Sequence, residues 1–239
     1  ITFAGGDCAE VIQNNLNEEL KQIQNLNVCS PDTILGVQKL LAEGKEIHIS
    51  PSKTVNEFSK HSTLNALNLA FLVETKTLTT GQLHDFDYDN QFIPNEKYDA
   101  KRSYKMKDGY FPGVATIGRH IVYIENRNGN CNVKYKQAET LQAAYDLLKS
   151  QNIRIDRSRM DCGSFTKEII KVVEANSKRF YIRAQRCDEL ASQIREVAKW
   201  ETVKVGLLNV EVCSIEYAPF GEEKKYRYVV QRERNKTGQ

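Results

Sequence analysis

The strongest constraint on this chain is the order in which its apolar periodicity changes from residue 83 onward. Asp85-Phe86-Asp87-Tyr88-Asp89 alternates strictly, the period-two pattern of a strand. Residues 110–117 and 120–125 are apolar stretches joined by Gly118-Arg119, which reads as a hairpin, and the turn at 126–130 ends the second of them. Ala138, Leu141, Ala144, Tyr145 and Leu148 then recur at helical spacing. A strand over 153–160 follows, then a helix from a Ser164 cap to residue 176 with Ile169, Ile170 and Val173 inward. Residues 179–185 read as a strand, and a helix capped by Asp188 runs to 199 with Leu190, Ile194 and Val197 on one face. Residues 202–217 and 226–232 are again strand-like.

The order is therefore βββ-α-β-α-β-α-ββ. Three antiparallel strands followed by αβαβ is the strand order of an RNase H-like mixed sheet, so the expected fold class is α/β of that kind. Upstream, residues 30–44 read as a helix with Ser30 as cap, Pro31 in the first turn and Gly44 at the end. Residues 54–73 read as a second helix, with Val55, Phe58, Leu64, Leu67 and Phe71 as its apolar set. Two successive helices suit either a packing layer or a DNA-binding helical region. The expected organisation is a mostly helical region over 1–80, a core over 81–200, and the start of a β-rich insertion over 201–239.

Composition agrees with a folded soluble chain: 40% of the 239 residues are apolar and 27% charged, which excludes disordered and collagen-like classes. No apolar run approaches the ~20 residues of a membrane-spanning helix, and no basic segment followed by an apolar stretch opens the chain. The chain starts at Ile1, has methionines only at Met106 and Met160, and stops directly after a strand-like stretch, so it reads as an internal piece of a longer protein. Charge is uneven: residues 1–100 hold 7 Lys/Arg against 14 Asp/Glu, and the rest hold 27 against 17. The back half suits either a polyanionic partner or a solvated basic surface. Cys8, Cys29, Cys131, Cys162, Cys187 and Cys213 include no C-x-x-C pair, and His48, His61, His84 and His120 are scattered, which argues for free thiols and against structural zinc.

Alternation puts Asp85, Asp87 and Asp89 on one strand face. Three like charges there repel one another. A solvent-exposed edge would relieve this, and so would a divalent cation, since Mg²⁺ is held by one or two carboxylates plus phosphate oxygens. A further acid, Asp161, closes the strand 153–160 ahead of the turn Cys162-Gly163-Ser164. In an RNase H-like sheet the first and fourth strands are neighbours, so Asp87 and Asp161 are expected to approach each other. Such a pair can hold two Mg²⁺ ions for in-line phosphoryl displacement without a His or Ser base.

Asp85-Phe86-Asp87-Tyr88-Asp89-Asn90, Gly109-Tyr110-Phe111-Pro112-Gly113, Arg159-Met160-Asp161-Cys162-Gly163-Ser164-Phe165 and Arg179-Phe180-Tyr181-Ile182-Arg183-Ala184 together resemble DDE-type insertion-sequence transposases. The similar branch carries a β-rich insertion between the second Asp and the catalytic Glu. The likeness runs from about residue 83 to the end and extends weakly to Cys29–Leu35 and to Gly5-Gly6-Asp7-Cys8. It implies cut-and-paste DNA transposition in the bacterial cytoplasm, at the nucleoid. Two Mg²⁺ ions (or Mn²⁺ in their place), double-stranded DNA with terminal inverted repeats and a target, and a homodimer on paired ends go with it. It assigns Asp87 as the first catalytic Asp and metal ligand and Asp161 as the second, with Asp85 and Asp89 as supporting ligands or bystanders. The family's Tyr-x-x-Arg-x-x-x-Glu has no counterpart here, so the chain is expected to end before the third acid and to be inactive or nearly so alone.

Two basic clusters are the expected DNA contacts. Arg179, Arg183 and Arg186 surround one strand, and Lys224, Lys225, Arg227, Arg232 and Arg234 lie near the end, with Lys236 beyond. Two other functions share these features: a metal-dependent nuclease that cuts without joining, and a non-catalytic DNA-binding remnant of a transposase.

Overall fold

The computed structural model describes residue 22 and residues 30–232, apart from 42, 52 and 54. Gly5–Cys8, Cys29, Arg234 and Lys236 lie outside the described residues. Helix α1 is Pro31–Leu41, and Ser30 caps it, its Oγ accepting from the Thr33 N–H at 3.2 Å.

The expected helix over 54–73 is corrected. Its first part is strand β2, Val55–Ser59, which pairs with β1, Lys45–Ile49, and only then does helix α2 begin, Ser62–Glu74. The spacing of Val55 and Phe58 fits a helix, but Asn56 and Phe58 are buried alternately. Phe58 lies under the Arg127 guanidinium, 5.2 Å from ring centroid to Cζ, and Asn56 Oδ1 accepts from the Asn132 N–H at 3.1 Å. Tertiary contacts override the local pattern here. The region before residue 80 thus adds strands to the sheet as well as helices.

The remaining strands of the main sheet are β3 Leu83–Asn90, β7 Gly113–Ile117, β8 His120–Arg127, β9 Arg154–Met160 and β10 Ser177–Ile182. The seven-stranded sheet has the order β1-β2-β8-β7-β3-β9-β10. β3–β7 and β7–β8 are antiparallel, and β3–β9 and β9–β10 are parallel. The molecule is mixed α/β around this mixed sheet. Helices α3, Gln137–Ser150, and α4, Lys167–Asn176, make the crossovers that parallel neighbours require. The cap of α4 is Thr166, whose Oγ1 accepts from Ile169 N–H, rather than Ser164, which ends a short 3₁₀ turn, Cys162–Ser164.

One face of the sheet is the core. Phe86, Tyr88, Ala115, Ile155 and Met160 meet Leu141, Ala144, Tyr145, Leu148, Ile169 and Val173. Each such large side chain, once buried, contributes about 1.5–3 kcal/mol. The Phe86 and Tyr145 rings lie 4.7 Å apart, and the Tyr145 hydroxyl bonds the Ser158 hydroxyl at 2.8 Å. The exposed edge of β8 is closed by a side chain: Asn65 donates to Ile124 O at 2.8 Å and accepts from Ile124 N–H at 2.9 Å, as a further strand would.

Residues between β3 and β7 form a small flap: β4 Ile93–Pro94, β5 Lys101–Arg102 and β6 Asp108–Tyr110, ordered β4-β6-β5. The expected strand over 110–117 is therefore interrupted at Phe111-Pro112. Pro112 has no N–H to continue a ladder, though its carbonyl accepts from Gln91 N–H at 2.9 Å. After β10, helix α5, Asp188–Arg195, leads to a three-stranded antiparallel sheet of β11 Glu201–Val205, β12 Leu208–Tyr217 and β13 Tyr226–Arg232. The stretch over 202–217 is two strands because Gly206 turns the chain at φ +60°.

Candidate active site

Because Phe86 and Tyr88 face the core, Asp85, Asp87 and Asp89 face outward, as alternation requires. The neighbouring strand β9 answers with Arg157 and Arg159 on the same side. A bulge between His84 and Asp85 sets this register, so that Asp85 stands opposite Arg157 and Asp87 opposite Arg159. Asp156 is the unpaired residue of that bulge; in an unshifted register the carboxylates would face Asp156 and Ser158 instead.

Asp85 accepts from Arg157 Nε at 2.7 Å, with Nη2 2.6 Å from its other oxygen. Asp87 accepts from Arg159 Nε at 2.6 Å and Nη2 at 2.7 Å. Both are two-pronged pairs. The repulsion expected along the strand is thus relieved for two carboxylates by arginines.

The third rung differs. The ladder ends at Tyr88–Met160; Asp89 and Asp161 are the next residue of each chain segment, and the charge of Asp161 is felt at Asp89. No Arg or Lys among the described residues forms an ion pair with either. Removal from water and the nearby charge of Asp161 both push the Asp89 carboxyl above its ordinary range, opposed by the Asn90 N–H and by Lys105. Both carboxylates are aimed by backbone amides: Asn90 N–H, at the end of β3, donates to Asp89 Oδ1 at 2.8 Å, and Gly163 N–H, in the 3₁₀ turn, to Asp161 Oδ1 at 2.8 Å. Gly163 matters for space, since a Cβ there would stand 3.0 Å from Asp161 Oδ1.

Of the residues assigned from sequence, Asp161 lies at the carboxyl end of β9, while Asp87 sits one rung short of it with both oxygens taken by Arg159. Strand rise and spacing separate Asp87 from Asp161 diagonally by roughly 8 Å between backbones. Asp85 lies a further rung away, on Arg157. Among the described residues no group of three His, Cys, Asp or Glu side chains is gathered in a metal-binding arrangement. The resemblance gives Asp89 only the place of a supporting ligand or bystander. The signal that singles it out is Arg-x-Arg-x-Asp at 157–161, which repeats the spacing of Asp85, Asp87 and Asp89.

Beneath the site, on the core side of β3, lies a second charged group. Glu125 and Arg127 are fully buried and paired. Glu125 also accepts from Tyr88 Oη at 3.3 Å and Thr140 Oγ1 at 3.0 Å, and Arg127 Nη1 donates to Asn132 O at 3.1 Å and to Tyr135 O. Burial pushes the Glu125 carboxyl up to about 7, against the pull of Arg127. Gly113 permits this passage of polar groups, because a Cβ there would lie 2.1 Å from Tyr88 Oη.

The expected DNA-contact residues divide. Arg179 is paired with Asp156, Lys224 with Glu174 at 2.6 Å, and Arg232 with Glu211 at 2.9 Å while its guanidinium stacks 3.9 Å from the Trp200 ring centroid. Arg227 donates to Ser214 Oγ at 3.1 and 3.0 Å. Arg183, Arg186 and Lys225 are exposed and hold no carboxylate among the described residues. Cys131, Cys162, Cys187 and Cys213 are free thiols. No helix among the described residues is long and apolar enough to cross a membrane. Comparison with protein-family models, curated proteins and solved structures gives no match.

Proposed function

We propose that this chain carries the nucleic-acid-cutting core of a bacterial insertion-sequence transposase, working by metal-assisted phosphoryl transfer on double-stranded DNA in the cytoplasm, at the nucleoid. The observation that supports it most is the third rung: two carboxylates opposed across β3 and β9, without a cation, beside two rungs where arginines neutralise the same strand. The strand order β8-β7-β3-β9-β10, antiparallel for the first three and parallel for the last, is what an RNase H-like core would have. In such a core the carboxylates at the end of the first and fourth strands lie side by side. Asp89 and Asp161 meet that description better than Asp87, which is left as a rung held by Arg159.

The donor set suits magnesium or manganese, since two carboxylates with phosphate oxygens are the hard oxygen ligands such ions take. A bound ion there would supply Lewis-acid polarisation of a phosphodiester and a more acidic water or 3′-hydroxyl. The chain's own part is to aim the two carboxylates through the Asn90 and Gly163 amides, and to present Arg183, Arg186 and Lys225 to backbone phosphates. The resemblance supplies the second ion, the inverted repeats and the pairing of two copies.

The test is metal-dependent handling of DNA. Duplex binding by the parent chain is expected to strengthen with Mn²⁺, and joint replacement Asp89→Asn, Asp161→Asn to remove that increment. Joined product in a strand-transfer assay supports a transposase, and nicks without joining support the nuclease reading. Binding that ignores both Mn²⁺ and the replacements supports the non-catalytic remnant and overturns the proposal.

A further inference from the structure

The flap between β3 and β7 starts two residues after Asp89 and carries one cation in an unusual setting. Lys105 Nζ lies 5.6 Å from the Phe92 ring centroid, 5.8 Å from that of Tyr104 and 5.9 Å from that of Phe111. The rings support one another, with Phe92–Phe111 centroids at 5.9 Å and Tyr104–Phe111 at 5.7 Å. Phe111 is buried, whereas Tyr104 is 74% exposed, so the cluster is rooted in the fold and open to solvent at its tip.

The turn that carries Lys105 is fixed. Ser103 is buried, its N–H and Oγ both donate to Lys107 O at 2.9 and 3.0 Å, and its Oγ accepts from Lys105 N–H at 3.2 Å. Met106 takes φ +60° to close it, with its N–H on Ser103 O at 3.0 Å. Lysine on a loop tip ordinarily loses much side-chain freedom when it binds. Here the aromatic faces already restrict it. No carboxylate among the described residues pairs with its ammonium, so its three donors remain available. Its charge is nonetheless felt at Asp89, against that of Asp161.

Phe92, whose ring Lys105 overlies, follows Asp89 by three residues, and Asn90 Nδ2 donates to Phe111 O at 3.5 Å, so the unneutralised ammonium is anchored at the same end of β3 as Asp89. A phosphodiester strand would suit such a site: Asp89 and Asp161 would hold the cation that binds one phosphate, and Lys105 would meet a neighbouring phosphate. We propose that Lys105, presented by Phe92, Tyr104 and Phe111, is a positioning residue that holds a backbone phosphate of the DNA strand lying at Asp89 and Asp161. This rests on the DNA-cutting reading above and adds a residue that neither the sequence motifs nor the basic clusters picked out.

Duplex affinity of the 239-residue chain, followed by fluorescence anisotropy over a series of salt concentrations, tests it. Each phosphate contact contributes about 0.9 to the slope of log affinity against log salt. Lys105→Met is expected to lower the slope by about that amount and to weaken low-salt binding several-fold, while Lys105→Arg restores the slope. Lys105→Gln serves in place of Lys105→Met if the latter melts early. Mn²⁺ uptake without DNA, followed by electron paramagnetic resonance, separates the two ideas. If the parent binds Mn²⁺ and DNA but Lys105→Met keeps the parental slope, the Lys105 proposal is overturned and the metal reading stands. If the parent shows no salt-dependent DNA binding, both are overturned.

Discussion

The two ends of the charged face of β3 use the same residue type for opposite purposes. At one end Asp85 and Asp87 are locked to Arg157 and Arg159 in two-pronged pairs. At the other, Asp89 feels the charge of Asp161, one residue beyond the last ladder pair, and no arginine completes the rung. The first two rungs are exposed and behave as surface ion pairs, which add little to stability. The third has unfavourable like-charge proximity. A strand that neutralises two carboxylates and leaves the third beside another acid concentrates negative potential at one point, at the carboxyl ends of two parallel strands. That difference, rather than the number of acids, is what directs attention to Asp89 and Asp161.

Completing the third rung would break the comparison most severely. Asp161→Arg extends the ladder, so Mn²⁺ affinity is expected to fall by more than ~100-fold while the melting temperature holds or rises slightly. Titration calorimetry with Mn²⁺ and thermal unfolding, run side by side, check both halves. A smaller effect in the other direction comes from opening the second rung. Arg159→Met releases both oxygens of Asp87 and removes a positive charge one rung from the site. Mn²⁺ affinity should rise about five- to tenfold, corresponding to ~1 kcal/mol of reduced repulsion, at a stability cost of no more than ~1 kcal/mol. An unchanged affinity in that variant would mean that Arg159 and the carboxylate pair do not sense each other.

Much of this was legible in the residues. The alternation of Asp85 to Asp89 with Phe86 and Tyr88 placed the acids outward, and the structure keeps that division. The helical spacing of Leu141, Ala144, Tyr145 and Leu148 likewise places the residues that cover the core face. Three things were not legible. Val55 and Phe58 fit a helix as well as a strand, and only the contact of Phe58 with Arg127 decides between them. The identity of the acid beside Asp161 depends on cross-strand register, and that register turns on a bulge at His84/Asp85. A one-residue shift between distant strands leaves no mark on local periodicity. The flap leaves no periodicity for a related reason: its strands are two or three residues long and are held by backbone bonds across residues 93–110.

The most direct measurement is Mn²⁺ binding to the whole chain by electron paramagnetic resonance, compared between Asp89→Asn/Asp161→Asn and Asp85→Asn/Asp87→Asn. The account expects the first pair of replacements to abolish the bound signal and the second to leave it in place. Loss of the signal only with Asp85 and Asp87 replaced, or a parent chain that binds no Mn²⁺, would contradict it.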